Sequence, residues 1–177
     1  IFTASSESFR LPSKKVIVTG HGIDTELFKP DISKKSEKFS ILSIGRISEV
    51  KNYETLVRAA KVLKDQDVEF SITMIGEPAL KKDRDYEQKL KLLISELGLQ
   101  GGFNFLGKIN HRDLIPYYQS HHLFIHLSKT GSLDKTILEA MACGMNVLSS
   151  NDSVRAFLPE DLLFNENDLE ELADKIL

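Results

Sequence analysis

From residue 39 onward, the hydrophobic and polar positions of this chain alternate between two periods. Short apolar runs rich in β-branched and aromatic residues predict strands at 39–44, 70–76, 103–107, 123–127, 145–148 and 162–164. Between them, apolar residues recur every three or four positions and predict helices over 53–63, 86–97, 113–119, the segment from 132 to Gly144, and 167–176. Strands that alternate with helices form parallel βαβ units, so the pattern predicts an α/β fold with a doubly wound, mainly parallel sheet.

The residues before this regular region follow a different pattern. Residues 1–5 are extended in character, a short helix is predicted to begin within 5–8, and 15–19 predict a strand. Residues 31–38 are polar and predict a solvated connection.

Composition agrees with one globular domain. The chain has 177 residues, 41% hydrophobic and 28% charged, enough for a core of its own. A net charge of −3 does not favour nucleic acid as a partner. The single cysteine, Cys143, excludes an internal disulfide. The sequence also shows no signal-peptide pattern and no apolar run long enough to cross a bilayer, and these three features together predict a cytoplasmic location. Because the chain begins at Ile1 and ends inside a predicted helix, we expect it to be part of a longer protein.

The candidate chemistry is concentrated after the strand at 123–127. Residues 130–132 supply turn residues and a predicted N-cap, and Gly144 is suited to end the helix in the left-handed conformation. Open α/β sheets bind ligands where such helices begin, and the free backbone N–H groups there favour an anion. Glu139 lies seven residues after Ser132, about two helical turns later.

Three segments, in order, resemble the retaining group 1 (GT4-type) glycosyltransferases of the GT-B fold. Residues 138–144, Leu-Glu-Ala-Met-Ala-Cys-Gly, are similar to the second half of the family's donor-site signature. Residues 21–30 are similar to the segment that leads into the family's second domain, and 43–52 to the Gly-Arg…Lys-Gly loop that holds the donor diphosphate. The resemblance implies the C-terminal, Rossmann-like donor-binding domain. Residues 1–30 would then end a preceding domain and cross over, and 31–177 would bind the nucleotide sugar.

The resemblance also implies a site. By the resemblance, Gly45, Arg46 and Lys51 bind the diphosphate, Glu139 binds the ribose, and His21, Gly22, Gly76 and Gly107 lie in the cleft. From the predicted helix start we add the N–H groups of Ser132 and Leu133 as further diphosphate donors, and we place Gly131 and Asp134 near the donor sugar. No catalytic residue is assigned, and His111 and His126 are given no role. No metal or cofactor is implied besides the UDP- or GDP-linked sugar, which is the substrate. Two Asp-x-Asp patterns, at 65–67 and 83–85, are typical of divalent-metal sites, but both lie at charged helix ends and are interpreted as solvated.

Cations at the edge of the sheet suit this chemistry. A departing nucleoside diphosphate develops negative charge, and removing one group that stabilises such charge costs roughly 2.7–4 kcal/mol of barrier. Each assignment also has a plainer alternative. Arg46 and Lys51 are then ordinary surface charges, Glu139 an exposed acid paired with Lys135, and Asp134 a complement to the helix N-terminus.

The chain departs from the family signature at one place. The family has a Glu eight positions before Glu139, followed by Gly-Phe-Gly, whereas this chain has Gly131 followed by Ser132, Leu133 and Asp134. In the family that Glu lies near the donor sugar. We therefore hypothesise that Asp134, or the main chain of 131–133, contacts the sugar hydroxyls instead.

The resemblance implies transfer of a sugar from a nucleotide-diphosphate sugar to an acceptor. The enzyme would be retaining, hexosyltransferase-like and metal-independent, and the preceding domain of the same chain would bind most of the acceptor. The 177-residue chain alone is then expected to bind nucleotide without turnover. Many relatives act on lipid-linked acceptors, which leaves peripheral association of the full-length protein with the inner face of a membrane open. Two alternatives also stay open: epimerase or hydrolase chemistry in the same cleft, and a non-catalytic interaction domain that lost the site.

Overall fold

The chain folds around a central parallel β-sheet, in a computed structural model that describes residues 1–6, 8–9, 11–128 and 132–177. The strands are β1 (Phe2–Thr3), β2 (Ile17–Val18), β3 (Ser40–Ile44), β4 (Ser71–Ile75), β5 (Phe103–Phe105), β6 (Leu123–His126) and β7 (Asn146–Ser149). The α-helices are α1 (Tyr53–Asp65), α2 (Lys81–Glu96), α3 (Ile115–Ser120), α4 (Lys135–Ala142) and α5 (Leu169–Ile176). Short 3₁₀-helices span Ile32–Lys34, Glu49–Lys51, Gln100–Gly102, His111–Leu114, Asp152–Val154 and Glu160–Leu162.

The order of strands in the main sheet reverses beside β3. Among the described residues this sheet has five parallel strands in the order β5-β4-β3-β6-β7. The chain runs outward from β3 to β4 and β5, then returns through α3 to β6 on the other side of β3. Sheets of this kind bind ligands at the carboxyl ends of the strands where the order reverses. The topology therefore directs attention to the ends of β3 and β6.

Helices cover both faces of the sheet. Ile41 and Leu42, neighbours in β3, belong to two separate core clusters, because successive side chains of a strand point to opposite faces. The first cluster includes residues of α1, α2 and α5, and the second includes residues of α3 and α4. Every residue of β3 and β6 is buried, as expected for central strands with both faces covered. The predicted doubly wound α/β fold is confirmed.

The segment 1–30 is tied to this body at its end. Strands β1 and β2 pair in a separate two-stranded parallel sheet, and Ile17 and Val18 are more than half exposed. Phe28, in contrast, is buried in the second core cluster. The domain boundary at residue 30 stays a prediction.

The helices predicted from residue 53 onward all form, but α2 begins earlier than expected. It starts at Lys81 because Asp83 caps it: the Leu80 N–H donates to Asp83 Oδ2 at 3.1 Å. Asp83 is consequently buried, so the interpretation of 83–85 as solvated is wrong at this residue, although Asp85 is exposed. Residues 65–67 are exposed as predicted.

Helix α4 begins later than predicted. Its N-cap is Asp134, not a residue within 130–132, so Glu139 lies just over one turn into the helix instead of two. Gly144 ends this region with a φ of 75°, in the left-handed conformation that was predicted. Helix α5 likewise begins later than the predicted residue 167, because its N-cap is Asp168.

Three predicted features of the connections differ from the structure. Residues 162–164 do not form a strand: Glu160–Leu162 is a 3₁₀-helix, and one isolated bridge joins Leu163 to Ser149. No helix forms among the described residues near 5–8. The segment 31–38 is not merely solvated, since Lys34 Nζ donates to Gln119 Oε1 at 3.0 Å.

Candidate functional site

A cavity of about 700 Å³ opens at the carboxyl ends of β3 and β6, where the strand order reverses. One wall is the loop after β3 with the 3₁₀-helix Glu49–Lys51, and the other is the segment from Ser132 through the first turn of α4. Six of the predicted site residues line it: Gly45, Arg46, Lys51, Ser132, Asp134 and Glu139. Side chains from two different crossovers of the sheet therefore meet around one hollow.

Gly45 sits at the end of β3 in a row of closely packed strand ends. Its N–H donates to the Ile75 carbonyl at 2.9 Å, and the N–H of Gly76 donates to the Gly107 carbonyl at 2.8 Å. A Cβ on Gly76, whose φ is +143°, would lie 1.9 Å from the Gly45 carbonyl oxygen. Gly76 and Gly107, predicted as cleft residues, thus support Gly45 instead of lining the cavity.

Lys51 is positioned by an anchored turn. Asn52 adopts the left-handed conformation (φ 46°), which separates the 3₁₀-helix from α1, and its Nδ2 donates to the Glu166 carbonyl at 2.8 Å. The next residue, Tyr53, is buried and donates its hydroxyl to the Gly45 carbonyl at 3.2 Å. Burial raises the pKa of Tyr53, which keeps this hydroxyl protonated as a donor.

Asp134 joins the two walls of the cavity. Its Oδ2 accepts hydrogen bonds from Lys51 Nζ and, at 2.7 Å, from His126 Nε2. Burial acts to raise the pKa of Asp134, but the hydrogen bond from His126 and the charge of Lys51 outweigh it and hold this pKa well below its usual range. Burial also lowers the pKa of His126, so the imidazole is neutral and its Nε2 carries the donated hydrogen. Asp134 is also the N-cap of α4, although its side chain makes no capping bond, so the helix-terminus alternative stands beside its contacts with Lys51 and His126.

Glu139 is buried, with 2% of its surface exposed, and both of its oxygens have partners. His111 Nε2 lies 2.7 Å from Oε1, and the hydroxyl of Tyr118 donates to Oε2 at 2.8 Å. Burial and the nearby carboxylate raise the pKa of Tyr118. The alternative of an exposed acid paired with Lys135 is therefore wrong.

Arg46 differs from these paired groups. It is exposed at the cavity, and within the described part of the chain it makes no ion pair. Its guanidinium therefore faces the hollow as a positive charge with no ion-pair partner among the described residues.

The remaining predicted residues lie elsewhere. Leu133 is buried in the second core cluster, its N–H donates to Ser8 Oγ at 3.3 Å, and its carbonyl is 3.1 Å from His21 Nε2, so it does not line the cavity. His21 borders a separate hollow of about 310 Å³, and Gly22 beside it is exposed. Gly131 lies outside the described residues.

Sequence reasoning gave no role to three side chains that shape the cavity. His111 and Tyr118 hold Glu139, and His126 holds Asp134. His111 and Glu139 are 28 residues apart, so no local spacing relates them. The described residues contain no group of three or more His, Cys, Asp or Glu side chains that is placed to hold a metal ion.

A sequence profile of the family "Glycosyl transferases group 1" matches residues 24–177. The chain belongs to this family. One member, the D-inositol 3-phosphate glycosyltransferase of Arthrobacter sp. (strain FB24), is 30% identical over 139 residues, which cover 73% of this chain and 32% of that protein. The chain thus spans about a third of the length of the curated family members that it matches.

Solved structures of glycosyltransferases share the fold. The crystal structure of Anabaena HepE in complex with UDP and glucose superposes with a TM-score of 0.86 and 23% identity, covering 99% of this chain and 51% of that one. The C-terminal domain of a group 1 family glycosyl transferase (LpcC) from Francisella tularensis superposes with a TM-score of 0.77 and 24% identity, covering 88% of this chain and 86% of that domain. Within the described residues, no helix combines the length and the apolar character needed to cross a membrane.

Proposed function

We propose that this chain is the donor-binding, C-terminal domain of a GT-B glycosyltransferase, and that its cavity binds a nucleotide-diphosphate sugar. The observation that carries the proposal is the meeting of Arg46, Lys51 and Glu139 around one hollow at the reversal point of the sheet. The UDP that HepE binds supports a nucleoside diphosphate as the ligand class, UDP- or GDP-linked here.

The cavity offers complementary groups for each part of such a ligand. Arg46 and Lys51 supply charge for the diphosphate, with the backbone of Ser132 beside them. Glu139 is a carboxylate that ribose hydroxyls can reach once the exposed imidazole of His111 turns aside. Asp134, three residues after the position at which this chain lacks the first Glu of the family signature, provides carboxylate oxygen for sugar hydroxyls.

The rest of the reaction belongs to the whole protein. We expect sugar transfer with retention of configuration, without a metal ion or other cofactor, and with the acceptor bound mainly by a preceding domain. The length of the family members supports a further domain, since they are about three times as long as the matched region. We expect the 177-residue chain alone to bind nucleotide without turnover, and the full protein to be cytoplasmic, with peripheral attachment to a membrane left to experiment.

Isothermal calorimetry with UDP and GDP tests the proposal. We expect saturable binding of at least one nucleotide and a loss of about tenfold or more in affinity for Arg46→Ala, because charge-assisted hydrogen bonds contribute about 1.5–3 kcal/mol. Arg58→Ala, on the exposed side of α1, is the matched control and should bind like the wild type.

Several results would contradict the proposal or a part of it. Absence of saturable binding, or binding that Arg46→Ala leaves unchanged, would favour a non-catalytic interaction domain. Robust sugar transfer by the isolated chain would contradict the need for a preceding domain. If the full-length protein hydrolyses or epimerises the nucleotide sugar without transferring it, the cavity would belong to an epimerase or hydrolase instead of a glycosyltransferase.

A further inference from the structure

Of the cations that line the cavity, which are Arg46, Lys51 and Lys135, Lys51 is already neutralised by the protein. Lys51 Nζ pairs with Asp134 Oδ2, and its side chain is 14% exposed, whereas Arg46 has no ion-pair partner among the described residues. Any anion that approaches Lys51 must share it with Asp134 or displace it. Asp134 therefore competes for Lys51 with the ligand that the proposed function assigns to this site.

The competitor is held at the site independently of Lys51. His126 is buried in β6, with 2% of its side chain exposed, and its Nε2 lies 2.7 Å from the same Asp134 oxygen. If Lys51 turns to another anion, Asp134 keeps this hydrogen bond and stays at the rim of the cavity. It then presents its other lone pairs to the hollow without a cationic partner.

Asp134 is also a feature of this chain rather than of the family signature. At this position the signature has the last Gly of Gly-Phe-Gly, which carries no side chain. A glycine there would leave Lys51 without the carboxylate, so the substitution adds an anion to the phosphate end of the site.

We propose that Asp134 is an internal counter-ion that competes with the ligand's diphosphate for Lys51 and so lowers the affinity of the site for the free nucleoside diphosphate. The inference rests on the proposed function and deepens it. A weakly held nucleoside diphosphate leaves the cavity readily after sugar transfer. The carboxylate that Lys51 releases is then available to hydroxyl groups of a bound sugar.

A double-mutant cycle tests this, with calorimetric titration of UDP and GDP into the 177-residue chain. Asp134→Asn should bind the nucleotide about fivefold more tightly, since it removes the competing charge while its amide oxygen still accepts from His126. Lys51→Met should weaken binding by about tenfold. In the Lys51→Met background, Asp134→Asn should give no gain beyond about twofold, because the cation for which it competes is gone.

Two further variants keep the test decisive. Glu49→Gln removes the same charge two residues from Lys51, in the same 3₁₀-helix, and should change affinity by less than about twofold. Asp134→Gly installs the residue of the family signature and should also tighten binding, which covers the case in which Asp134→Asn does not fold. Thermal unfolding of each variant verifies that the fold is retained.

The outcomes separate the two proposals. If the wild type binds UDP or GDP but Asp134→Asn and Asp134→Gly bind as weakly as it does or more weakly, the counter-ion role is wrong and the proposed function stands. The inference is also overturned if Asp134→Asn raises the nucleotide affinity equally in the wild type and in Lys51→Met, or if Glu49→Gln raises it as much. Either result would mean that the affinity responds only to the net charge near the cavity. Failure of the wild type to bind either nucleotide overturns both proposals.

Discussion

At the residue scale, the shape of the cavity depends on glycines that place backbone against backbone. Gly76 has a φ of +143°, which residues with a side chain rarely adopt, and its Cα faces the Gly45 carbonyl. Gly45 itself lines the cavity next to Arg46 and accepts the Tyr53 hydroxyl, so a shift at Gly76 would be transmitted to the end of the cavity where we propose that the diphosphate binds. The close contact between Gly76 and Gly45 therefore serves both the packing of the sheet and the shape of the cavity.

Substitution at Gly76 tests this packing. Gly76→Ala should lower the free energy of unfolding by about 2–4 kcal/mol, because its Cβ would overlap the Gly45 carbonyl oxygen in a strained backbone conformation. Gly101→Ala is the control: no atom lies within 4 Å of the added Cβ, so we expect a change within about 0.5 kcal/mol. Urea denaturation measures both. Equal stability of Gly76→Ala and the wild type would show that the strand ends separate easily, contrary to the structure.

At the element scale, the start of α2 shows how one side chain sets a helix boundary. Asp83 accepts the Leu80 N–H and is buried, whereas Asp85, its partner in the Asp-x-Asp pattern, is exposed. The pattern therefore contains one capping residue and one surface residue. Its role in the described structure is to begin a helix.

The two aspartates make a matched pair of variants. Asp83→Ala should destabilise the fold by about 0.5–2 kcal/mol, the usual cost of losing a capping side chain. Asp85→Ala should stay within about 0.5 kcal/mol of the wild type. Chemical denaturation monitored by circular dichroism distinguishes them. Equal effects of the two substitutions would mean that the capping bond contributes nothing to stability.

The same scale shows what sequence patterns could predict. The apolar face of α1, with Leu56, Val57, Ala60 and Leu63 all buried, followed directly from helical periodicity. The strand predicted at 162–164 did not form, and among these residues only Leu163 bridges to Ser149. The prediction failed because an apolar triplet does not indicate whether a neighbouring strand is available to pair with it. Helix starts were displaced where the capping residue was not the first turn-forming residue, as at Asp134.

The candidate site was predictable in its outline but not in its internal pairing. Strand ends of a parallel sheet meet at one edge, so Arg46, Lys51 and Glu139 could be expected to converge, and they line one cavity. The partners of the acids could not be expected: Tyr118 and His111 reach Glu139 from α3 and the turn before it. These contacts depend on side-chain directions across the fold, which local spacing does not encode.

At the scale of the whole molecule, the cavity differs from the other hollows in its position at the reversal point of the sheet. A hollow of about 410 Å³ beside Phe70 and Gly102 lies at the amino ends of the strands, away from the reversal point of the sheet. The end of the N-terminal segment packs against residues of the site. Phe28 is buried beside Tyr118, and its ring centroid lies 5.1 Å from that of His111. The end of the segment 1–30 thus helps to position the residues that hold Glu139.

The most direct measurement is a crystal structure of the chain with UDP or GDP bound. The account predicts the two phosphates against Arg46 and Lys51 at the end of β3, and the ribose within hydrogen-bond distance of Glu139. A nucleotide that binds beside Phe70 instead, or that occupies the cavity without contacting Arg46, Lys51 or Glu139, would contradict it.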